Sequence, residues 1–590
     1  LWARPPVGAA RLLAGGETDC DGRFELPIGG NGRGAPARLE LRLFETSFRF
    51  GADRRPEAAG RRRIATLPLD GRGGGATLDC GERRVRYWLY DPDTRLVRVK
   101  IDDLRDPPDP YTAERWTAQK RCVGGFNGIQ FRARKHQVLN LLNPRWPPLP
   151  AIHADYPENR TRALERERPG YTRSDEYFGQ RVLSGFNPCL LAGDRERPGR
   201  WRYWYNWDAY EQDGVHELPN VDVRFEVRDE RLWPVRITVQ RRLPGGTAPR
   251  SPLAEPVTAT PEDGERWLAA KRIFRVCSGV GGEIDFHLAR THLNSEQYAI
   301  AARRNLRKNP LRHLLFPHLR EVTRVNVDGN TLVFGRTGVL NVASALTPES
   351  VIDRFVDQMA SLDWTGWRPR RPLCATHHYA KAANLFWEVV TAYVEVFFAE
   401  RGPGIVARWP EVHRFSRDLV AHSLPYAPLP SDPGDEWIDR NELDDPGVPR
   451  QEVGGVLRAV RPVTRGDEPA PGDLENLKQL CRYAIFHASF GHAWSNSRQY
   501  DEGGEVLYAS LGLRNGAFGP ESDLSIAPTP REAAYQMFLA RFLSGNRYGM
   551  IMANTEGDIH PVLLELLRSR EEEFRSCEVD IYDVQARVNI

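Results

Sequence analysis

The stretch Trp267–Leu306 constrains this chain more than any other. It reads WLAAKRIFRVCSGVGGEIDFHLARTHLNSEQYAIAARRNL, contains no proline and spaces its apolar residues by three and four, so it predicts a long helix through the core. His287 and His292 lie on it, five residues apart. In a regular α-helix five steps of about 100° leave two side chains roughly 140° apart, too far round to share a ligand. A π-bulge, closing i→i+5, brings such a pair onto one face, and these bulges are frequent at functional sites. The sequence therefore predicts a π-bulge between the two histidines. An isolated H-x4-H pair is more often one core and one surface histidine, so its surroundings decide the reading.

A second stretch, CRYAIFHASFGHAWSNSRQY (Cys481–Tyr500), also has helical spacing. His492 and Asn496 are i and i+4 and share a face without any bulge. The plain alternative is a His and an Asn satisfying one another in a core. The chain ends VQARVNI, at Ile590.

Taken together these segments resemble the lipoxygenases. The Trp-x-x-Ala-Lys run is Trp267, Ala270 and Lys271, and the two-histidine helix follows it. A Pro-His-x-Arg segment ending in Asn is Pro317, His318, Arg320 and Asn326, and HAWSN completes the pattern. The resemblance implies a metal held by His287, His292, His492, Asn496 and the main-chain carboxylate of Ile590. It implies Glu283 and Gln499 as outer partners, linked by hydrogen bonds between metal and substrate cavity, and no catalytic residue beyond the metal site. Imidazoles with a carboxylate suit non-heme iron with one position open. Manganese is the alternative, and the ligand set does not separate the two. His377, His378 and His487 fall on no ligand position and read as ordinary histidines.

The activity implied is dioxygenation of polyunsaturated fatty acids carrying a cis,cis-1,4-pentadiene, with O2 as co-substrate, to hydroperoxides. A rival from another class is a lipid-binding protein on the same scaffold without turnover. Gly279, Ala343 and Ser344 fall on pocket-floor positions of the family, and Val333 is placed on the same pocket. The three floor residues are small, which predicts a deep pocket and, for methyl-end-first entry, oxygenation away from the methyl end. Gly329 lies three residues after Asn326, where the family commonly has Ala in S-specific and Gly in R-specific members. An R product is expected, unless Asp328–Gly329 is simply a turn pair.

The fold expected is α+β and multidomain: an N-terminal β-sandwich over residues 1–112, then a mainly α lipoxygenase catalytic domain over 113–590 with a long central helix. TDCDGRFELPI (Thr18–Ile28) is similar to transthyretin-like modules. DEYFGQRVLSGFNPCLL (Asp175–Leu191) resembles the family's substrate-side helix, LWPVRITVQ (Leu232–Gln240) its short strand pair, and ANLFWEVVTAYVEVFF (Ala383–Phe398) a later helix. Residues 107–170 read as a wrapping linker and 425–471 as a surface excursion. Over 590 residues the net charge is only +3, which does not suit a dedicated nucleic-acid binder. The eight cysteines form no CxxC pair and read as reduced thiols. No run of about 18 apolar residues predicts a membrane span. The N-terminal module reads equally as a lipid-docking element making peripheral membrane contact or as a stabilising appendage; a monomer is expected, and a cytoplasmic location is favoured without being fixed by the sequence. The chain has no initiator Met, so a removed signal segment stays open.

Overall fold

The described residues of this computed structural model run from Pro148 to Asn589. The longest gaps fall at 423–449 and 515–526, with shorter ones including 244–251, 330–332, 335–337 and 545–548. Before Pro148 only strands are described. They form one antiparallel sheet, in which Arg38–Phe50 pairs with Pro56–Leu69, Leu96–Asp102 and Trp2–Arg4. The second layer a sandwich needs is not among the described residues. Thr18–Ile28 and the predicted domain boundary after residue 112 also lie outside them.

From Pro148 onward the chain is mainly helical. The predicted linker carries two short helices where it is described, Leu149–Ala154 and Arg160–Glu167. Leu232–Gln240 does form a strand, but within a five-stranded antiparallel sheet and not a pair. Its spatial order is Val257–Ala259, Arg231–Gln240, Asn220–Arg228, Arg200–Tyr205, Ala192–Gly193. The sheet follows from alternation. Val221, Val223 and Phe225 are buried, while Asp222 and Glu226 face the other side and pair with Arg202 (2.6 Å) and Arg200 (2.7 Å) of the next strand. Pro234, with no N–H for the ladder, sits at a break in register.

The helix Asp175–Ser184 packs on this sheet, N-capped by Ser174, whose Oγ accepts from the Tyr177 amide (3.1 Å). A Cβ on Gly179 would stand 1.8 Å from the Leu232 carbonyl oxygen, so only glycine allows the approach. Asp175 joins this helix to the core helix Glu265–Gly281 by accepting from Trp267 Nε1 (2.8 Å) and Lys271 Nζ (2.7 Å). The Trp-x-x-Ala-Lys run is thus a one-turn clamp, with both donors on one helical face.

The core helix continues into a segment lodged between two apolar cores. Phe286 faces one core, and Ile284, Leu288, Ala289 and Leu293 face the other. The helix His378–Val406 is long and apolar enough to cross a membrane by length and composition alone. Its Phe386, Val390, Tyr393 and Val394 are fully buried against the helices Asp473–Phe486 and Pro561–Ser569, so that apolar length serves a core helix.

Replacing Gly179 by Ala should lower the thermal transition, by an overpacking cost of about 1–3 kcal/mol. Gly279→Ala, where a Cβ meets nothing within 4 Å, should leave that transition unchanged or slightly raised.

Candidate metal centre

The segment Gly282–Leu293 is a π-helix. The sequence predicts one bulge here; the structure carries the wider winding through the whole segment. His287 and His292 therefore share a face, with their Nε2 atoms 3.2 Å apart. Two side chains hold this winding. Thr291 Oγ1 donates to the His287 carbonyl (2.5 Å), four residues back, a side-chain contact of the kind that bends a helix. Asp285, fully buried, makes a two-pronged ion pair with Arg354 (2.5 and 2.7 Å) on the helix Pro348–Ala360.

A second π-helix, His487–Gly491, precedes the helix His492–Gly503. No signal in the sequence reading pointed to it. It delivers His492 to the other two histidines, so that one ring nitrogen of each lies within 4.8 Å of the others. All three rings are buried.

The hydrogen bonds fix the tautomers. His287 Nδ1 faces Glu283 Oε2 (3.2 Å), an oxygen that already accepts from Gln499 Nε2 (2.8 Å). His292 Nδ1 faces Asn326 Oδ1 (3.0 Å), and the other end of that amide donates to Glu296 Oε2 (2.7 Å). Each Nδ1 is therefore placed as the donor, and in the neutral ring each Nε2 then offers its lone pair. Burial, and then the neighbouring His287 and His492, hold His292 well below the usual imidazole range, so it stays neutral. With both rings neutral in this tautomer, two lone pairs face each other at 3.2 Å. A cation between them resolves the conflict, since two ligands at right angles on ~2.1 Å metal–nitrogen bonds stand about 3 Å apart. Asn496 adds a second sign. Its Oδ1 is buried and has no hydrogen-bond partner among the described residues, as a ligand oxygen would.

Ile590 lies outside the described residues. The strap leading to it is buried at Val588 and Asn589. The Ala586 carbonyl accepts from His318 Nδ1 (2.7 Å) and Ser489 Oγ (3.0 Å), which anchors the strap four residues before its end. Burial lowers His318 to about 4, so it too is neutral. His487 is pushed down to about 3 by burial and packs on Trp367 and Tyr483, away from the cluster.

Beside the histidines lies a cavity walled by Phe178, Phe186, Phe274, Val339 and Leu539, with Glu283 and Gln499 at its polar end. Its exposed surface is mostly apolar, but Arg181, Arg275, Glu502 and Glu505 line it as well, so charged groups reach it besides Glu283. Of the residues predicted for the pocket, Gly279 lines it. Val333, Ala343 and Ser344 are buried and are not among its lining residues. Gly329 ends the helix Val322–Gly329 at a φ that is not positive, and an added Cβ would meet only Phe334, at 3.5 Å. Glu296 and the role of Asn326 were missed by sequence reasoning. Glu296 sits one turn after His292, so its position was readable, but its contact with Asn326 was not. Burial raises Glu296 to about 8.

No protein-family profile matches the chain. A crystal structure of a 9R-lipoxygenase from Cyanothece PCC8801 superposes with a TM-score of 0.75, is 39% identical, and covers 100% of this chain and 89% of that one. This chain belongs to the lipoxygenase family. The linolenate 9R-lipoxygenase of Nostoc sp. is 26% identical over 342 residues, 57% of this chain and 38% of that protein. The polyunsaturated fatty acid lipoxygenase ALOX15 of Sus scrofa is 24% identical over 359 residues, 54% of this lipoxygenase and 52% of its relative. The chain thus matches about half or less of the length of these curated relatives.

Removing the ligand groups should separate two effects. Ala in place of His287, His292 or His492 should abolish bound metal by elemental analysis. Asn326→Leu, which leaves the ligands in place but takes away the acceptor for His292 Nδ1 and the donor to Glu296, should weaken metal binding about 10- to 100-fold.

Proposed function

We propose that this chain dioxygenates polyunsaturated fatty acids with a cis,cis-1,4-pentadiene to hydroperoxides at a non-heme metal. The metal would be held by His287, His292, His492 and Asn496, with the Ile590 carboxylate completing the set. One observation carries the reading: three buried imidazoles converge, two of them with Nε2 atoms 3.2 Å apart, beside an asparagine oxygen that has no hydrogen-bond partner among the described residues. A lipid carrier on this scaffold has no use for that arrangement, which costs energy unless a cation fills it.

When bound, the metal supplies a one-electron redox couple that removes a bis-allylic hydrogen. The protein contributes position. Glu283 and Asn326 keep the two π-helix imidazoles in the tautomer that offers Nε2. Gln499 bridges Glu283 to Ser544, whose Oγ donates to Gln499 Oε1 (3.1 Å), so the polar end of the cavity is tied to the metal ligands. The apolar walls hold the acyl chain extended and dry, fixing which carbon meets the metal.

The open space at Gly279 lets a chain entering methyl end first slide deeper, which moves oxygen toward the carboxyl side. At Gly329 the backbone does not demand glycine, so the missing methyl is free to serve as a steric opening to one face of the pentadienyl radical. An R hydroperoxide follows. The two relatives named as 9R-lipoxygenases support this direction and hand.

The test is conjugated-diene absorbance on linoleate, with chiral analysis of the product. Diene formation and a predominant R hydroperoxide are expected. Gly329→Ala should move oxygen to the other end of the pentadiene with S chirality, and Gly279→Phe should shift it toward the methyl end. Metal without diene would favour the lipid-binding rival. A native S product would remove Gly329 from the account.

A further inference from the structure

We propose that Gln585 is a positioning residue that aims Asn496 at the metal, a role that rests on Asn496 serving as a ligand. An asparagine amide has two faces of opposite use: its oxygen can ligate a cation and its NH2 cannot. A half-turn of the amide exchanges them at almost no steric cost, so the ligating orientation needs a partner that accepts from nitrogen only.

Gln585 is that partner. Asn496 Nδ2 donates to Gln585 Oε1 (3.1 Å), both residues are buried, and Asn496 Oδ1 is the end left without a partner. The same Nδ2 also lies 3.3 Å from His492 Nε2. That nitrogen cannot accept a hydrogen bond and ligate a metal with one lone pair. Once it ligates, Gln585 is the acceptor that still holds the amide.

The acceptor is itself held in place. Residues 584–586 form a short strap against residues 549–551. Ile551 N donates to Val584 O (2.9 Å), Ala586 N donates to Gly549 O (2.8 Å), and Met550 and Gln585 face each other as an antiparallel bridge. His318 and Ser489 grip the next carbonyl, that of Ala586. Two buried polar side chains that merely satisfy one another would show the same hydrogen bond, so the test must tell aiming from packing.

The readout is the rate at which the purified full-length protein releases its metal to a chelator, followed by elemental analysis, with the thermal transition of the metal-stripped protein as the measure of packing. Gln585→Met keeps the volume and removes the acceptor. It should speed metal release about 10- to 100-fold while the stripped protein melts as wild type does. Gln585→Glu keeps an acceptor oxygen and should release metal within a few-fold of the wild-type rate. In an Asn496→His background, where an imidazole ligates with no amide to aim, Gln585→Met should change nothing further. Gln585→Ser gives the same comparisons should the Met variant not fold. Release at the wild-type rate in these variants, or equal acceleration in the Asn496→His background, overturns the proposal. Wild-type protein that binds no metal overturns the metal-centre reading itself and this role with it.

Discussion

Two imidazole Nε2 atoms, 3.2 Å apart, each on a ring whose Nδ1 is turned to a hydrogen-bond acceptor, are the constraint on which the rest of the structure depends. Such a pair repels unless a cation joins it, and a protein interior offers no water to soften the repulsion. Everything around the pair works to impose it. Glu283 and Asn326 fix the tautomers, while Thr291 and the Asp285–Arg354 ion pair hold the backbone that presents them. The arrangement resembles other sites where local geometry is unfavourable alone and becomes favourable with its ligand.

The π-winding is the means. An α-helix would separate residues five apart by well over a right angle; the wider turn stacks them. That winding is weaker than an α-helix, and it is placed where two apolar cores press on it from opposite sides. The second π-helix repeats the device just before His492. Two irregular segments thus meet at one point, each braced by packing that a surface helix would lack.

The strap at residues 584–586 is positioned by a different physics. The strap around Gln585 and Ala586 has little regular structure, and its order comes from polar contacts with residues far away in sequence: Gly549, Ile551, His318, Ser489 and Asn496. Burial makes each of these contacts costly to lose. The pocket is simpler. It is a gap among aromatic and aliphatic side chains, and Gly279 contributes to it by adding nothing.

By itself the sequence determined whatever is local and periodic. Spacing told of the long core helix, the need for a π-bulge between His287 and His292, and the shared face of His492 and Asn496. Resemblance then supplied the family, Glu283 and Gln499. The sequence read a helix over Ala383–Phe398 and no membrane span; the structure carries that helix over His378–Val406, and because a core helix and a membrane helix share one apolar composition, only its packing identifies it as a core helix. It took Leu232–Gln240 for one of a pair, because strand partners are set by contacts that no local pattern encodes. Tertiary structure alone decided that Ala343 and Ser344 are not among the lining of the cavity, that Gly329 needs no positive φ, and that Glu296 reaches His292 through Asn326. The physical reason is the same in each case. Hydrogen bonds and cavities belong to groups brought together across hundreds of residues, and their geometry exists only once the chain has closed around them.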